Sequence, residues 1–146
     1  MEKRKKTVIM SILRTRRAWM EHAKAVAHEM GIPDSYRMII MYLLREPGAN
    51  QKDIADFANI TTAAVNQTVK EMLAKGYLEK ETDQNDRRYT KLFLTEKGRE
   101  IAWKLREKLR ISDEAITQAI TPEKEAEMIE LLDKIQDCIR RDLTSC

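Results

Sequence analysis

At 146 residues with 42% apolar side chains, the chain carries enough hydrocarbon for one modest core with helical extensions. Lys and Arg total 27 against 24 Asp and Glu, so bulk charge gives only weak support to a polyanionic partner, and any nucleic-acid argument must rest on local placement. The basic start Lys3, Arg4, Lys5, Lys6 precedes a short apolar run, Val8 to Leu13, which Ser11 interrupts and Arg14, Arg16 and Arg17 follow; it reads as neither a signal peptide nor a membrane span.

From Thr7 to Met30, Ile9, Ile12, Leu13, Trp19, Met20, Ala23, Val26 and Ala27 fall at helical spacing, and Gly31 stops this first helix. Pro33 suits the first turn of a second helix carrying Tyr36, Ile39, Ile40, Leu43 and Leu44; Met38, Met41 and Tyr42 make it apolar nearly all round, so it belongs in a core. After Pro47-Gly48, Asn50 with Asp53 three residues on predicts a capping box that opens a short third helix through Phe57, with Ile54, Ala55 and Ala58 inward. Asn59 tolerates a left-handed turn, and Thr61 or Thr62 caps a fourth helix that ends at Gly76, with Ala64, Val65, Val69, Met72 and Leu73 inward. Two helices around so short a turn predict a helix-turn-helix. The alternating segments Tyr77 to Glu81 and Lys91 to Leu94 predict a β-hairpin with a charged tip from Thr82 to Thr90. Thr95 then opens a long helix that Ser112 and Asp113 are expected to kink, and Thr121-Pro122 caps a last helix striped by Met128, Leu132, Ile135, Ile139 and Leu143.

The expected fold class is therefore mainly α with a small β-hairpin wing. Residues 1–32 form an N-terminal dimerisation helix, 33–98 a winged helix-turn-helix lobe, and 99–146 the C-terminal dimerisation helices. A lobe this small cannot cover the flanking stripes, so Ile9, Ile12, Leu13, Leu132, Ile135 and Ile139 are expected to be buried against a second copy of the chain.

On the fourth helix the outer face is Thr62, Ala63, Asn66, Gln67 and Lys70. Asn and Gln can each make two hydrogen bonds to adenine in the major groove, and Thr or Ala can lie against a thymine methyl, but an ordinary solvated face has the same composition. The hairpin decides for duplex DNA. Its tip sets Arg87 and Arg88 beside Asp86; a guanidinium suits a narrow minor groove, and a neighbouring carboxylate holds it extended. The run Asp83-Gln84-Asn85-Asp86-Arg87-Arg88, then Leu94-Thr95-Glu96-Lys97-Gly98, resembles the wing signature of the MarR family. The likeness extends through Pro33-Asp34-Ser35-Tyr36, Gln51 to Ala55 and Val65 to Gly76. It implies a triangular homodimer with interleaved terminal helices and two lobes on successive major grooves of a pseudo-palindrome, Asp86 orienting Arg88 into the minor groove. It also implies repression relieved by a small aromatic or apolar anionic effector. Two departures stand out: Gln67 replaces a residue that is basic in many relatives, and Ile32 stands where a capping Ser or Thr is usual.

The effector candidates are Trp19, His22, Tyr36 and Arg37, which combine rings with cationic or donor groups; equally, aromatics at helical spacing are ordinary core, the reading periodicity favours. Cys138 and Cys146 lack paired-ligand spacing and lie far from His22 and His28, so no metal and no cofactor is expected, and reduced thiols point to the cytoplasm. Relatives that sense peroxides use a cysteine early in the first helix, and no cysteine precedes Cys138. With His22 and His28 six residues apart, and no Gly-rich phosphate loop or nucleophile elbow, no catalytic constellation assembles, and an enzyme is not expected. A winged helix that binds protein is the competing class.

Overall fold

The structure, a computed structural model, describes residues 6–86 and 89–141. Its order is α1 (Val8–Glu29), α2 (Asp34–Arg45), α3 (Gln51–Ala58), α4 (Thr62–Ala74), β1 (Leu78–Thr82), β2 (Thr90–Leu94), α5 (Glu96–Ile120) and α6 (Pro122–Arg140), so the chain is mainly helical with one hairpin. Two compact units result, Met1–Lys108 and Leu109–Cys146.

In the first unit the helix ends follow local chemistry. Thr7 Oγ1 accepts from Met10 N to open α1, and Gly31 leaves that helix at φ 71°. Asn50 and Asp53 form the full capping box of α3: Asn50 Oδ1 accepts from Asp53 N at 2.9 Å, and Asp53 Oδ2 accepts from Asn50 N at 3.1 Å. Asn59 turns left-handed at φ 54°, and Thr61 caps α4 by accepting from Ala64 N. Pro33 is itself the N-cap of α2, one place earlier than expected, and makes no side-chain cap bond. Ile32 beside it is buried, so a position where a capping hydroxyl is usual carries a core side chain instead.

The core gathers Ile40 and Leu43 of α2, Ile54 of α3, Val65, Val69 and Met72 of α4, Leu92 of β2 and Leu105 of α5. Ala64, expected inward, is exposed, because Val65, Val69 and Met72 already form the i, i+4, i+7 line that faces the core. The hairpin pairs antiparallel from Leu78↔Leu94 to Thr82↔Thr90, one residue farther toward the tip than the alternation suggested. β2 is its inner strand. On its far edge Gly48 N donates to Leu92 O at 2.9 Å, and Leu92 N donates to Ala49 O at 3.0 Å, so β1 is left as the exposed edge. Gly48 holds φ 83° there, with the Phe93 ring 3.1 Å from where a Cβ would sit, so a side chain would meet both strain and a ring. α4 and α5 are tied beside the hairpin: Thr95 Oγ1 donates to Gly76 O at 2.6 Å, Thr95 N donates to Tyr77 O, and Lys97 Nζ donates to Lys75 O.

In the second unit α5 stays helical through Ser112 and Asp113, where a kink was expected, and Thr117 Oγ1 donates to Glu125 Oε1 at 2.7 Å across the turn. Thr121 precedes α6 at φ 67° instead of the extended cap conformation, and its side chain makes no cap bond. α6 has no buried residue; Leu132, Ile135 and Cys138 are half-buried, while Ile129, Leu131 and Ile139 are exposed. Leu143 and Cys146 lie outside the described residues.

Candidate nucleic-acid interface and adjoining cleft

α4 presents one polar face to solvent because its apolar residues sit on the opposite line. Thr62, Ala63, Gln67 and Lys70 are exposed and Asn66 is half-buried, so all five expected groove residues share the accessible side. No acidic residue occupies the first turn of α4, so apart from the Thr61 hydroxyl cap no anionic side chain offsets its positive dipole end. Gln67 has a partner on its own helix: its Nε2 donates to Glu71 Oε1, one turn on, at 3.2 Å.

At the wing, Asp83 does what the residue reading missed. Its Oδ1 accepts from Asn85 N at 2.8 Å and Asp86 N at 3.4 Å, while Asp83 N donates to Tyr89 O, so residues 83–86 fold into an Asx-type turn. An Asp followed by Gln-Asn-Asp between two strands was the available signal. Asp86 is half-buried at the end of this turn. The expected contacts of Arg87 and Arg88 lie outside the described residues.

Behind α4 the first unit has a small open cleft of about 100 Å³, lined by Ile32, Tyr36, Ile40, Lys75, Tyr77 and Ile101 among others. Of the four expected effector residues the structure brings only Tyr36 to it. The Trp19 and His22 rings lie 5.7 Å apart along α1 and pack on each other. Arg37 is buried, because a helical side chain leans toward the N-terminus and there meets Asp34: Arg37 Nε donates to Asp34 Oδ1 at 2.6 Å. The cation at the cleft is Lys75, 5.2 Å above the Tyr36 ring, with Tyr77 set edge-on to Tyr36 at 6.1 Å. The Tyr36 hydroxyl oxygen is the first cause that holds the Lys75 ammonium above its ordinary value, Glu71 adding to it by charge, so Lys75 is cationic throughout the neutral range. Lys75 and Tyr77 gave no signal in the sequence, since both flank a helix-ending glycine and read as turn residues. Tyr36 itself is 3% exposed, and its hydroxyl, which needs a partner when buried, donates to Glu71 Oε2 at 3.3 Å.

Comparison with known proteins agrees with this architecture. The model of the MarR family matches residues 30–88, the span from the end of α1 to the wing tip. The HTH-type transcriptional regulator YybA of Bacillus subtilis (strain 168) is 28% identical over 105 residues, covering 70% of each chain. Among solved structures, the Mycobacterium tuberculosis MarR family protein Rv2887, in complex with salicylic acid, superposes with a TM-score of 0.72 at 18% identity, covering 90% of this chain and 98% of that one. A MepR mutant of S. aureus bound to an oligodeoxyribonucleotide gives a TM-score of 0.60 at 18% identity, covering 92% and 99%. Fold and wing together define a winged helix-turn-helix DNA-binding transcription regulator. The span from α2 to the wing is that of a MarR-like winged helix-turn-helix. No helix among the described residues is long and apolar enough to cross a membrane.

Proposed function

We propose that this chain is a sequence-specific, ligand-responsive repressor of the cytoplasm, a binding protein rather than an enzyme, which acts as a homodimer on a pseudo-palindromic operator. The observation that carries this reading is the solvent-facing side of α4, with Thr62, Ala63, Gln67 and Lys70 exposed and Asn66 half-buried, in a chain whose wing turn is folded by Asp83. α4 reads the major groove, and Arg88, held by Asp86, enters the minor groove beside it. The oligodeoxyribonucleotide held by the MepR mutant supports the partner. The two elements fail differently when cut back. Arg88→Ala weakens binding to many sequences, most of all those with A·T-rich flanks, and flattens the slope of log affinity against log salt by about 1. Gln67→Ala costs roughly 1–3 kcal/mol on the operator and little on random duplex, with the salt slope unchanged. Fluorescence anisotropy across a salt series reads both. Binding that ignores salt would indicate a winged helix that docks on protein instead.

The cleft is the effector site in this reading. Tyr36 and Tyr77 supply rings and Lys75 a cation for an aromatic carboxylate of the kind that Rv2887 holds. Calorimetric titration with salicylate should show binding that Lys75→Ala removes, and salicylate should lower DNA affinity by the factor by which DNA lowers salicylate affinity. Salicylate binding that leaves DNA affinity unchanged refutes the regulatory role.

A further inference from the structure

Glu71 stands at the junction of the two surfaces just described. It is an exposed carboxylate on α4, one turn beyond Gln67 and one turn before Lys75, and each of its oxygens accepts a different hydrogen bond. Oε1 takes the Gln67 Nε2 donor at 3.2 Å, and Oε2 takes the Tyr36 hydroxyl at 3.3 Å. The second bond matters because Tyr36 is buried and cannot swing away, so the carboxylate is held from the core side while it holds Gln67. An ionised carboxylate only accepts. The amide nitrogen of Gln67 must therefore face Glu71, and the carbonyl oxygen must face away from it. A free glutamine side chain has no such preference, since turning its terminal torsion by half a turn exchanges oxygen and nitrogen with little change of shape.

Which end faces a base decides which base is read. An amide nitrogen carries two N–H groups, so one can remain on Glu71 while the second joins Oε1 to form an edge with one acceptor and one donor. That edge matches the amine at N6 and the acceptor at N7 of adenine. Guanine offers two acceptors, O6 and N7, and thymine offers O4, so each of these is served better by an amide free to turn its nitrogen inward.

We propose that Glu71 is a positioning residue for base reading: pinned by the Tyr36 hydroxyl, it fixes the orientation of the Gln67 amide and so makes Gln67 selective for adenine. The proposal rests on the reading of α4 as the groove helix. It also gives the cleft a route to the operator, because Tyr36 lines the cleft and its hydroxyl holds the carboxylate that holds the reader.

Selection from a randomised duplex library, followed by affinity measurement on the recovered operator and its single-base variants, tests it with the full-length protein. In the parent, one position per half-site should prefer adenine over guanine, and Gln67→Ala should erase that preference. Glu71→Ala should reduce the adenine-to-guanine ratio at that position roughly tenfold while total affinity holds or rises, because a carboxylate near phosphates is gone. Glu71→Gln replaces an acceptor-only group with an amide that also donates, so it no longer fixes the Gln67 amide and should lower the ratio as Glu71→Ala does. In a Gln67→Ala background, Glu71→Ala should leave base preference unaltered, which a purely structural role would not produce. If Gln67→Ala erases the preference and Glu71→Ala does not reduce it, the positioning role is overturned and the groove reading survives. Absence of specific duplex binding, or a preference indifferent to Gln67→Ala, overturns both. Melting curves that match the parent's exclude misfolding, as both side chains are exposed.

Discussion

Gly98→Ala should destabilise the winged lobe by about 3 kcal/mol, the upper end of the usual range for overpacking. Gly98 lies in the first turn of α5, where a Cβ would come 2.2 Å from the carbonyl oxygen of Tyr77 and 3.3 Å from Leu94 Cδ2. A side chain in the way could rotate, but this obstacle is backbone, and it is held from both sides. Tyr77 O accepts from Thr95 N at 3.1 Å, and Tyr77 N donates to Met72 O at 2.9 Å in the turn that ends α4. Moving the carbonyl therefore loosens the start of α5 and the end of the groove helix together. Differential scanning calorimetry should show the midpoint lower by roughly 6–12 °C for a chain of this size. Gly31→Ala is the contrast, because Gly31 has nothing within 4 Å and differs only in its φ of 71°, so its cost should be near 1 kcal/mol. Equal effects of the two substitutions would show that the Tyr77 contact carries no weight.

Ile135→Asp should split or unfold the proposed homodimer. The second unit leaves Ile129, Leu131 and Ile139 exposed and Ile135 and Leu132 half-buried on α6, and α1 begins with Ile9 and Leu13 exposed and Ile12 half-buried, more apolar side chain than a lone chain shields well. If a second copy covers Ile135, an aspartate there is an unpaired buried charge, which costs several kcal/mol. Sedimentation at micromolar concentration should then give the monomer mass or a melted chain, where the parent gives twice the monomer mass. Operator affinity should fall by a factor of about 10²–10⁴, since two linked lobes bind as one bivalent unit. Lys134→Ala on the neighbouring exposed position, whose ammonium meets Glu130 at 2.8 Å in a surface pair, should change neither mass nor melting appreciably. An Ile135→Asp protein with the parent's mass and melting point would refute the interface.

What the amino-acid sequence determined by itself was most of what is settled within about one helical turn. The capping box of Asn50 and Asp53, the left-handed Asn59, the Thr61 cap and the order of helices and hairpin were all legible, because each depends on partners three or four residues away. The exposed face of α4 was legible for the same reason, a period of 3.6 set against a single core. Where local signals were ambiguous, the folded chain chose: Pro33 is the N-cap of α2 beside a buried Ile32, and Thr121 stands at positive φ without a cap bond. The cleft was beyond periodicity altogether. Tyr36, Lys75 and Tyr77 meet across nearly forty positions only when α4 folds back on α2, and the same packing buries Arg37 against Asp34 and hands the cationic role to Lys75. Hydrogen bonds from Tyr36 to Glu71 and from Thr95 to Gly76 are likewise long in sequence and short in space. Such contacts follow from how the elements pack, and no pattern confined to one element carries them.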